Sequence, residues 1–355
     1  MLTEPHIFPR EAPPGYSYLD DEPTFEPDKD LRLEQPKDVT SLSDLGYDDE
    51  FRSDFPSPVA VTSPLRVLSD TGVEKVRAVI KRLWPYAVHS PDPRVAPVLR
   101  GAVYRSRFLR DLSLSPDVSA FFSEITRTEL VPTAFPFNLA HINYNQPEAV
   151  ESNDGWHRDD NGFVMTLVVH DPNDCDGGRF QHFHGTRHEA DALLSRSRPL
   201  PEERIVSPEF PGPGHAVLLQ GSAVVHRAEP LRSQSERFTL GTCYDSRDLR
   251  HPDPNRTYFL RSSSDEQQDP EAEVEEFCRY VDYARHKAWR ARGHLDDFLR
   301  DVPWTDDREL IVRQLAESVR EIVEAVDVLR RGDVTKREVQ RLRAADETRR
   351  KRKVD

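Results

Sequence analysis

The chain has no apolar run long enough to cross a bilayer, and its first residues, MLTEPHIFPRE, lack the apolar stretch of a signal peptide. Both absences point to a cytoplasmic protein with no membrane partner. Cysteine is scarce: Cys175, Cys243 and Cys278 are the only three, an odd number at irregular spacing. This argues against a disulfide framework or a cysteine zinc site and fits thiols in a reducing compartment. Net positive charge is missing too. At −14 over 355 residues, the body of the protein is ill suited to a phosphate backbone, so nucleic acid is not an expected partner. The one basic cluster, Arg349-Arg350-Lys351-Arg352-Lys353, reads as a solvated helix end. Apolar residues make up only 36% and charged residues 32%, which predicts one core with a large solvated periphery.

Three regions differ in pattern. Residues 1–65 are rich in Pro, Asp and Glu with little periodicity and read as an extended arm. Residues 66–265 carry the core domain. It opens with a helix whose apolar positions are Val73, Val76, Val79, Ile80 and Leu83, and a second with Ser115 as N-cap and Pro116 at its first position. Short runs rich in β-branched and aromatic residues follow: 138–145 (NLAHINYN), 163–170 (FVMTLVVH), 179–184 (RFQHFH), 215–220 (HAVLLQ), 222–227 (SAVVHR) and 237–244 (RFTLGTCY). Turn clusters such as Asp176-Gly177-Gly178 and Pro211-Gly212-Pro213-Gly214 separate them, predicting an antiparallel sandwich or barrel. Residues 266–355 return to helix. Val274, Phe277, Cys278 and Val281 form one stripe, with Gly293 as its stop. Leu310 to Leu329 form another, with Gly332 beyond. Such stripes are expected to pack on a sheet or to pair two copies of the chain as a homodimer.

One triplet in the strand region has the spacing of metal chemistry. Redox-active non-haem iron is commonly held by two histidines and a carboxylate on one face, leaving positions open for other ligands. Two ligands on one strand must be two residues apart to share a face. His157-Arg158-Asp159 has that spacing, but so do His251-Pro252-Asp253 and His294-Leu295-Asp296. His294 lies in a helical pattern, where alternate residues diverge. His251 lies in a loop with no strand-borne histidine downstream. His157 and Asp159 precede a strand, and His226 follows about seventy residues later at the end of SAVVH. Arg237 begins the next strand after ten intervening residues, with Thr239 on the same strand face. A guanidinium buried in a barrel needs an anion, and a carboxylate matches its fork of donors.

The order HRD, strand, DGG turn, strand, PGPG turn, AVLLQGSAVVH and RFT resembles the iron(II) and 2-oxoglutarate-dependent oxygenase superfamily, including its small-molecule and prolyl-hydroxylase-like members. The likeness covers approximately residues 138–245. It implies a mainly β double-stranded β-helix, or jelly-roll, with α-helical flanks. It implies Fe(II) held by His157, Asp159 and His226, and the distal carboxylate of 2-oxoglutarate held by Arg237 and Thr239. Asn143 and Tyr144 are candidates for a further polar contact, although adjacent strand residues face opposite ways, so only one of them can point inward. The implied activity is a dioxygenase reaction: O₂ and 2-oxoglutarate are consumed, ascorbate stimulates, and a C–H bond of a small molecule, such as an amino acid or related metabolite, is oxidised. Halogenating members carry Gly or Ala at the acidic ligand, and Asp159 argues against that outcome. The competing reading keeps the barrel as a cupin-like metal-binding isomerase or sensor, which leaves Arg237 and Thr239 unexplained. Trp156 reads as packing and Arg179 as a surface charge or a contact for a substrate carboxylate. His170, His182, His184 and His188 lack the acid or thiol that would complete a second metal site.

Overall fold

The computed structural model describes residues 8–88, 97–145, 155–159, 161–232, 236–255 and 270–331. They fall into two compact units, Met1–Pro252 and Asp253–Asp355. The first contains strands β1 (Val39–Ser41), β2 (Val59–Thr62), β3 (Leu65–Arg66), β4 (Val98–Leu99), β5 (Leu130–Pro132), β6 (His141–Asn145), β7 (Phe163–Val168), β8 (Phe180–Phe183), β9 (Ile205–Val206), β10 (His215–Gln220), β11 (His226–Ala228) and β12 (Arg237–Ser246). Its helices are α1 (Pro27–Asp30), α2 (Asp49–Arg52), α3 (Asp70–Leu83), α4 (Arg107–Ser113), α5 (Pro116–Thr126) and α6 (Arg187–Leu194). The second unit holds α7 (Pro270–Asp301) and α8 (Arg308–Arg331).

The strands form two sheets. The larger runs β1-β2-β10-β7-β12-β6-β4, with β3 also on β10 and β5 on β12; the smaller runs β11-β8-β9. From β6 onward the chain alternates between them. It passes from β6 to the small-sheet side at His157, which bridges His226, then returns as β7, crosses to β8 and β9, returns as β10, crosses to β11 and returns as β12. This is the winding of a double-stranded β-helix, and every pairing in it is antiparallel.

Local chemistry fixes these elements. Ser69 caps α3 by accepting from the Gly72 N–H, and Val73, Val76, Val79, Ile80 and Leu83 are buried along one face. Pro116 opens α5 as expected, although the Ser115 side chain makes no cap bond. Central strands β7, β10 and β12 are buried almost throughout; β7 and β10 read as nearly continuous apolar runs, whereas β12 buries Arg237, Thr239, Thr242 and Asp245 as well. Each fully buried Leu, Val or Phe there contributes roughly 1.5–3 kcal/mol.

Several expectations need correction. Residues before 66, expected as an extended arm, add strands to the sheet. β1 and β2 extend the large sheet, and Leu42, Leu45 and Tyr47 enter a core with Val217, Leu219, Val224 and Cys243. The acidic composition hid three short apolar anchors. The break between units comes at Pro252 rather than 265. SAVVHR is not a strand from 222. Ala223 and Val224 donate backbone bonds to the Gln220 carbonyl in a turn, so His226 begins β11 instead of ending an apolar strand. Gly293 does not stop α7, which continues to Asp301. The α8 apolar positions Val312, Val319, Ile322 and Val323 are exposed, whereas Ser318, Glu321 and Ala325 are buried. Gly332, the basic cluster at 349–353 and the Cys278 side chain lie outside the described residues. No described helix is long and apolar enough to cross a membrane.

Candidate metal and anion site

His157 lies opposite the first residue of β11, and an antiparallel bridge sets it face to face with His226. Their rings are 4.4 Å apart between centroids. Asp159, two residues on, is held by its N–H, which donates to the Gly221 carbonyl at 3.1 Å. His157 Nε2 is then 3.9 Å from Asp159 Oδ1, and His226 Nε2 is 3.5 Å from Asp159 Oδ2. One donor atom from each residue lies within 4.8 Å of the others, and among the described residues no other acid, histidine or thiol set does this. His251-Asp253 and His294-Asp296 form no such set; His251 Nδ1 meets the Ser53 carbonyl instead.

The donor set suits a divalent ion of the iron type. Metal–ligand lengths of about 2.0–2.2 Å put adjacent donors roughly 3 Å apart, slightly inside the separations found here. Each imidazole is fixed by its other nitrogen: His157 Nδ1–H donates to the Gly155 carbonyl at 2.7 Å, and His226 Nδ1–H to the Val224 carbonyl at 3.1 Å. Both Nε2 atoms are thereby left as lone-pair donors for a metal. A Cβ at Gly221 would lie 2.7 Å from the Asp159 Cβ, so that position must be glycine for the carboxylate to approach. Burial pushes the Asp159 carboxyl up. His226, His157, His141 and Arg100 outweigh that and hold it below its ordinary value, in the charged form a metal needs.

The triad opens on a cavity of about 690 Å³ within the first unit, the size of a small-molecule pocket. Val164, Thr166, Val168 and His170 line it at alternate positions along and just past β7; Asn143 and Thr239 face it from β6 and β12. Asn143 and Thr239 are directly paired, with Asn143 Nδ2 3.5 Å from Thr239 Oγ1. Arg237 is 6% exposed, and its Nε–H donates to the Gly178 carbonyl at 2.7 Å. The Gly177-Gly178 turn makes this possible: both residues have positive φ, and a Cβ at Gly178 would meet the Arg237 side chain at 2.7 Å.

Of the two neighbouring β6 candidates, Asn143 is at the cavity and Tyr144 is not. The Tyr144 hydroxyl donates to the Ile80 carbonyl of α3 at 2.9 Å, and its ring packs on Trp84 and Phe238. Strand alternation sends it to the helix-covered face, so Tyr144 is a core residue and not a cofactor ligand. Trp156 packs with Phe183, Leu200 and Val225 and carries the Arg227 guanidinium over its ring. Arg179 lies exposed at the cavity. The remaining histidines do not cluster: His182 pairs opposite His226, His188 lies edge-on to Phe51, and His170 bonds to the Phe238 carbonyl. Sequence reasoning missed His141, whose ring lies so close over Gly241 that a Cβ there would meet it at 2.1 Å, and missed His170 as a cavity residue. The period-two pattern of β7, carried two residues past Val168, was the available signal for His170.

Comparisons with known proteins give one family model and several distant structures. The family described as Halogenase D matches residues 93–257, a span that includes His157, Asp159, His226 and Arg237. No curated protein matches. Among solved structures, the chain is similar to the non-haem alpha-ketoglutarate-dependent epimerase SnoN from nogalamycin biosynthesis, at 15% identity and TM-score 0.41, over 58% of this chain and 82% of that one. It is similar to EctD from S. alaskensis at 12% identity and TM-score 0.39, over 66% and 86%. A Pseudomonas putida prolyl-4-hydroxylase is 13% identical with TM-score 0.34, over 49% and 85%. In its double-stranded β-helix and in the order of its candidate ligands, this chain resembles the iron(II) and 2-oxoglutarate-dependent oxygenase superfamily.

Proposed function

We propose that the chain is an iron(II) and 2-oxoglutarate-dependent dioxygenase that oxidises a C–H bond of a small molecule, an amino acid or related metabolite, with hydroxylation as the outcome. One observation carries this reading: a two-histidine, one-carboxylate triad and a buried arginine line the same cavity, with Thr239 and Asn143 beside the arginine. His157, Asp159 and His226 would hold the iron. Arg237 and Thr239 would hold the distal carboxylate of 2-oxoglutarate, and Asn143 would orient the Thr239 hydroxyl. When bound, iron and 2-oxoglutarate would supply the oxidation with O₂, yielding succinate and CO₂; ascorbate would keep the iron reduced. The protein's share is position: fixed imidazoles, a charged Asp159 and a guanidinium pinned by Gly178.

The test is anaerobic addition of Fe(II) and 2-oxoglutarate to the purified chain, followed by a succinate-release screen over amino acids and related metabolites with ascorbate. A weak visible charge-transfer band and substrate-dependent succinate are expected. A folded protein that binds the metal but shows neither result would support the cupin-like isomerase or sensor instead. The Halogenase D likeness raises halide transfer as a second reading. Asp159 speaks against it, because its carboxylate would take the place on the metal that halogenating members leave to halide. Turnover in chloride or bromide is expected to give no halogenated product.

For partners, a homodimer through α8 fits the exposed stripe Val312, Leu315, Val319, Ile322, Val326 and Leu329. A cytoplasmic location fits the thiols: neither Cys175 nor Cys243 forms a disulfide.

A further inference from the structure

His170 stands one strand step past β7, on the face that gives Val164, Thr166 and Val168 to the cavity, and lines that cavity with Arg237. Val169 N–H donates to the Phe238 carbonyl at 3.1 Å, which fixes the chain there against the first residues of β12. The His170 ring follows the same anchor, with Nδ1–H donating to that carbonyl at 3.0 Å. A carbonyl can only accept, so Nδ1 carries the hydrogen and Nε2 is the ring atom left for the cavity. The residue is 5% exposed, and among the described residues no protein group hydrogen-bonds its Nε2.

We propose that His170 is a co-substrate-positioning residue, whose imidazole gains a proton as 2-oxoglutarate enters and donates from Nε2 to the carboxylate that Arg237 also holds. This rests on the co-substrate reading of the cavity. The charges around the ring give the reason. Burial, first, and then Arg237 from β12 and Arg77 from α3 push its pKa down to about 4; the Phe238 bond and the neighbouring Asp171 pull the other way. Arg77 is itself partly compensated by Glu236, 3.7 Å away. Before the co-substrate binds, the ring is therefore neutral at pH 7, and Arg237 is the dominant nearby charge of β12. A bound carboxylate neutralises that guanidinium and adds an acceptor, and both changes favour imidazolium. The proton comes from solvent, so co-substrate binding and proton uptake are linked.

Calorimetric titration of 2-oxoglutarate into the Fe(II)-loaded chain without O₂, at about pH 7 in two buffers of different ionisation enthalpy, reads this directly. Uptake of close to one proton is expected for the wild type. His170→Asn keeps an N–H for the Phe238 carbonyl but has no group at the Nε2 position; it is expected to take up no proton and to bind about tenfold more weakly. His170→Gln places an amide near Nε2 and is expected to recover affinity without proton uptake. The wild-type Kd should tighten as pH falls from 8 to 6, while both variants stay flat. Binding with no proton uptake, and with an unchanged Kd in His170→Asn, overturns the assignment while leaving Arg237 and the co-substrate reading in place. If the Fe(II)-loaded wild type does not bind 2-oxoglutarate at all, the co-substrate reading fails first and His170 falls with it.

Discussion

His157 and His226 exchange both backbone hydrogen bonds: His157 N–H donates to the His226 carbonyl at 3.0 Å, and His226 N–H donates to the His157 carbonyl at 2.9 Å. The two imidazoles are therefore fixed relative to each other by main chain, and the side-chain bonds only select their tautomers. Asp159 depends on a different device, the close approach allowed by Gly221. Gly221→Ala should displace the carboxylate while the bridge survives. We expect metal affinity to fall by about 10–100-fold with little loss of stability. An anaerobic Co(II) titration followed by its visible spectrum measures this, and wild-type affinity in the variant would show that the glycine contact is relaxed easily.

His157→Ala and Asp159→Ala are expected to abolish succinate formation, while His251→Ala leaves it near the wild-type rate. The contrast is informative because both histidines belong to His-X-Asp triplets. His251 lies 3.3 Å from Asp248 and bonds the Ser53 carbonyl, outside the cavity lining. Equal damage from His251→Ala in the succinate assay would mean that the wrong triplet has been assigned.

Arg237→Ala separates anion binding from metal binding. The guanidinium is buried against Gly178, so its loss leaves a bound carboxylate without its cation in a buried site. The 2-oxoglutarate requirement should rise at least about tenfold, while Fe(II) affinity measured without 2-oxoglutarate stays close to wild type. Parallel loss of both would indicate that the variant has disturbed β12 as a whole.

Much of this site was legible before the fold. Turn clusters at 176–178 and 211–214 separated the strands correctly, because Gly with positive φ and Pro leave few alternatives. The His157, Asp159, His226 and Arg237 set followed from spacing and resemblance. What stayed hidden depends on tertiary contact. Tyr144 and Asn143 are equally plausible by type, and only the strand's pairing decides which faces α3. His170 lies beyond the strand end and looked like one more scattered histidine. Leu42, Leu45 and Tyr47 are too few to outweigh the composition of their segment. In α8 the apolar stripe suggested a buried face, but the contact with α7 uses Glu321, because α7 presents Lys287 and Arg290.

That polar contact predicts an acid-sensitive second unit. Lys287 Nζ lies 3.0 Å from Asp253 and 2.8 Å from Glu321, and Arg290 Nε lies 2.9 Å from Glu321. Burial alone would raise both carboxyls. For Asp253 the charges of His286, Lys287 and Arg290 reverse this; for Glu321 the nearby His294, 3.9 Å away, and the charges of Arg290 and Lys287 do so, and both groups end well below their ordinary values. A depressed carboxyl stabilises above its unfolded pKa, about 4, and that contribution is lost as pH falls toward the folded value. Amide protection factors in α7 and α8 should therefore stay high at pH 5–7 and fall below about pH 4. Lys287→Met, which takes away the cation shared by two buried acids and leaves them Arg290 and His286, should cost up to about 3–5 kcal/mol. Unchanged protection of these helices in that variant would show that the network contributes little.

The α8 surface supplies the last prediction. Val312, Leu315, Val319, Ile322, Val326 and Leu329 are 37–60% exposed and recur at steps of three and four, a strict heptad seam. Such a seam keeps one face toward a partner helix only if both helices supercoil, and valine alternating with leucine or isoleucine is the composition that favours two strands. The α7-facing residues Ser318, Glu321 and Ala325 lie on a different face, so pairing through the seam would not disturb the ion network. Light scattering should find a dimer of the full chain, and Val319→Asp with Ile322→Asp should convert it to monomer while the cavity still binds Fe(II). Aspartates at the seam would have to be buried unpaired, which a two-stranded contact this short does not tolerate. A wild-type chain that stays monomeric at high concentration would exclude the homodimer and leave the stripe as surface.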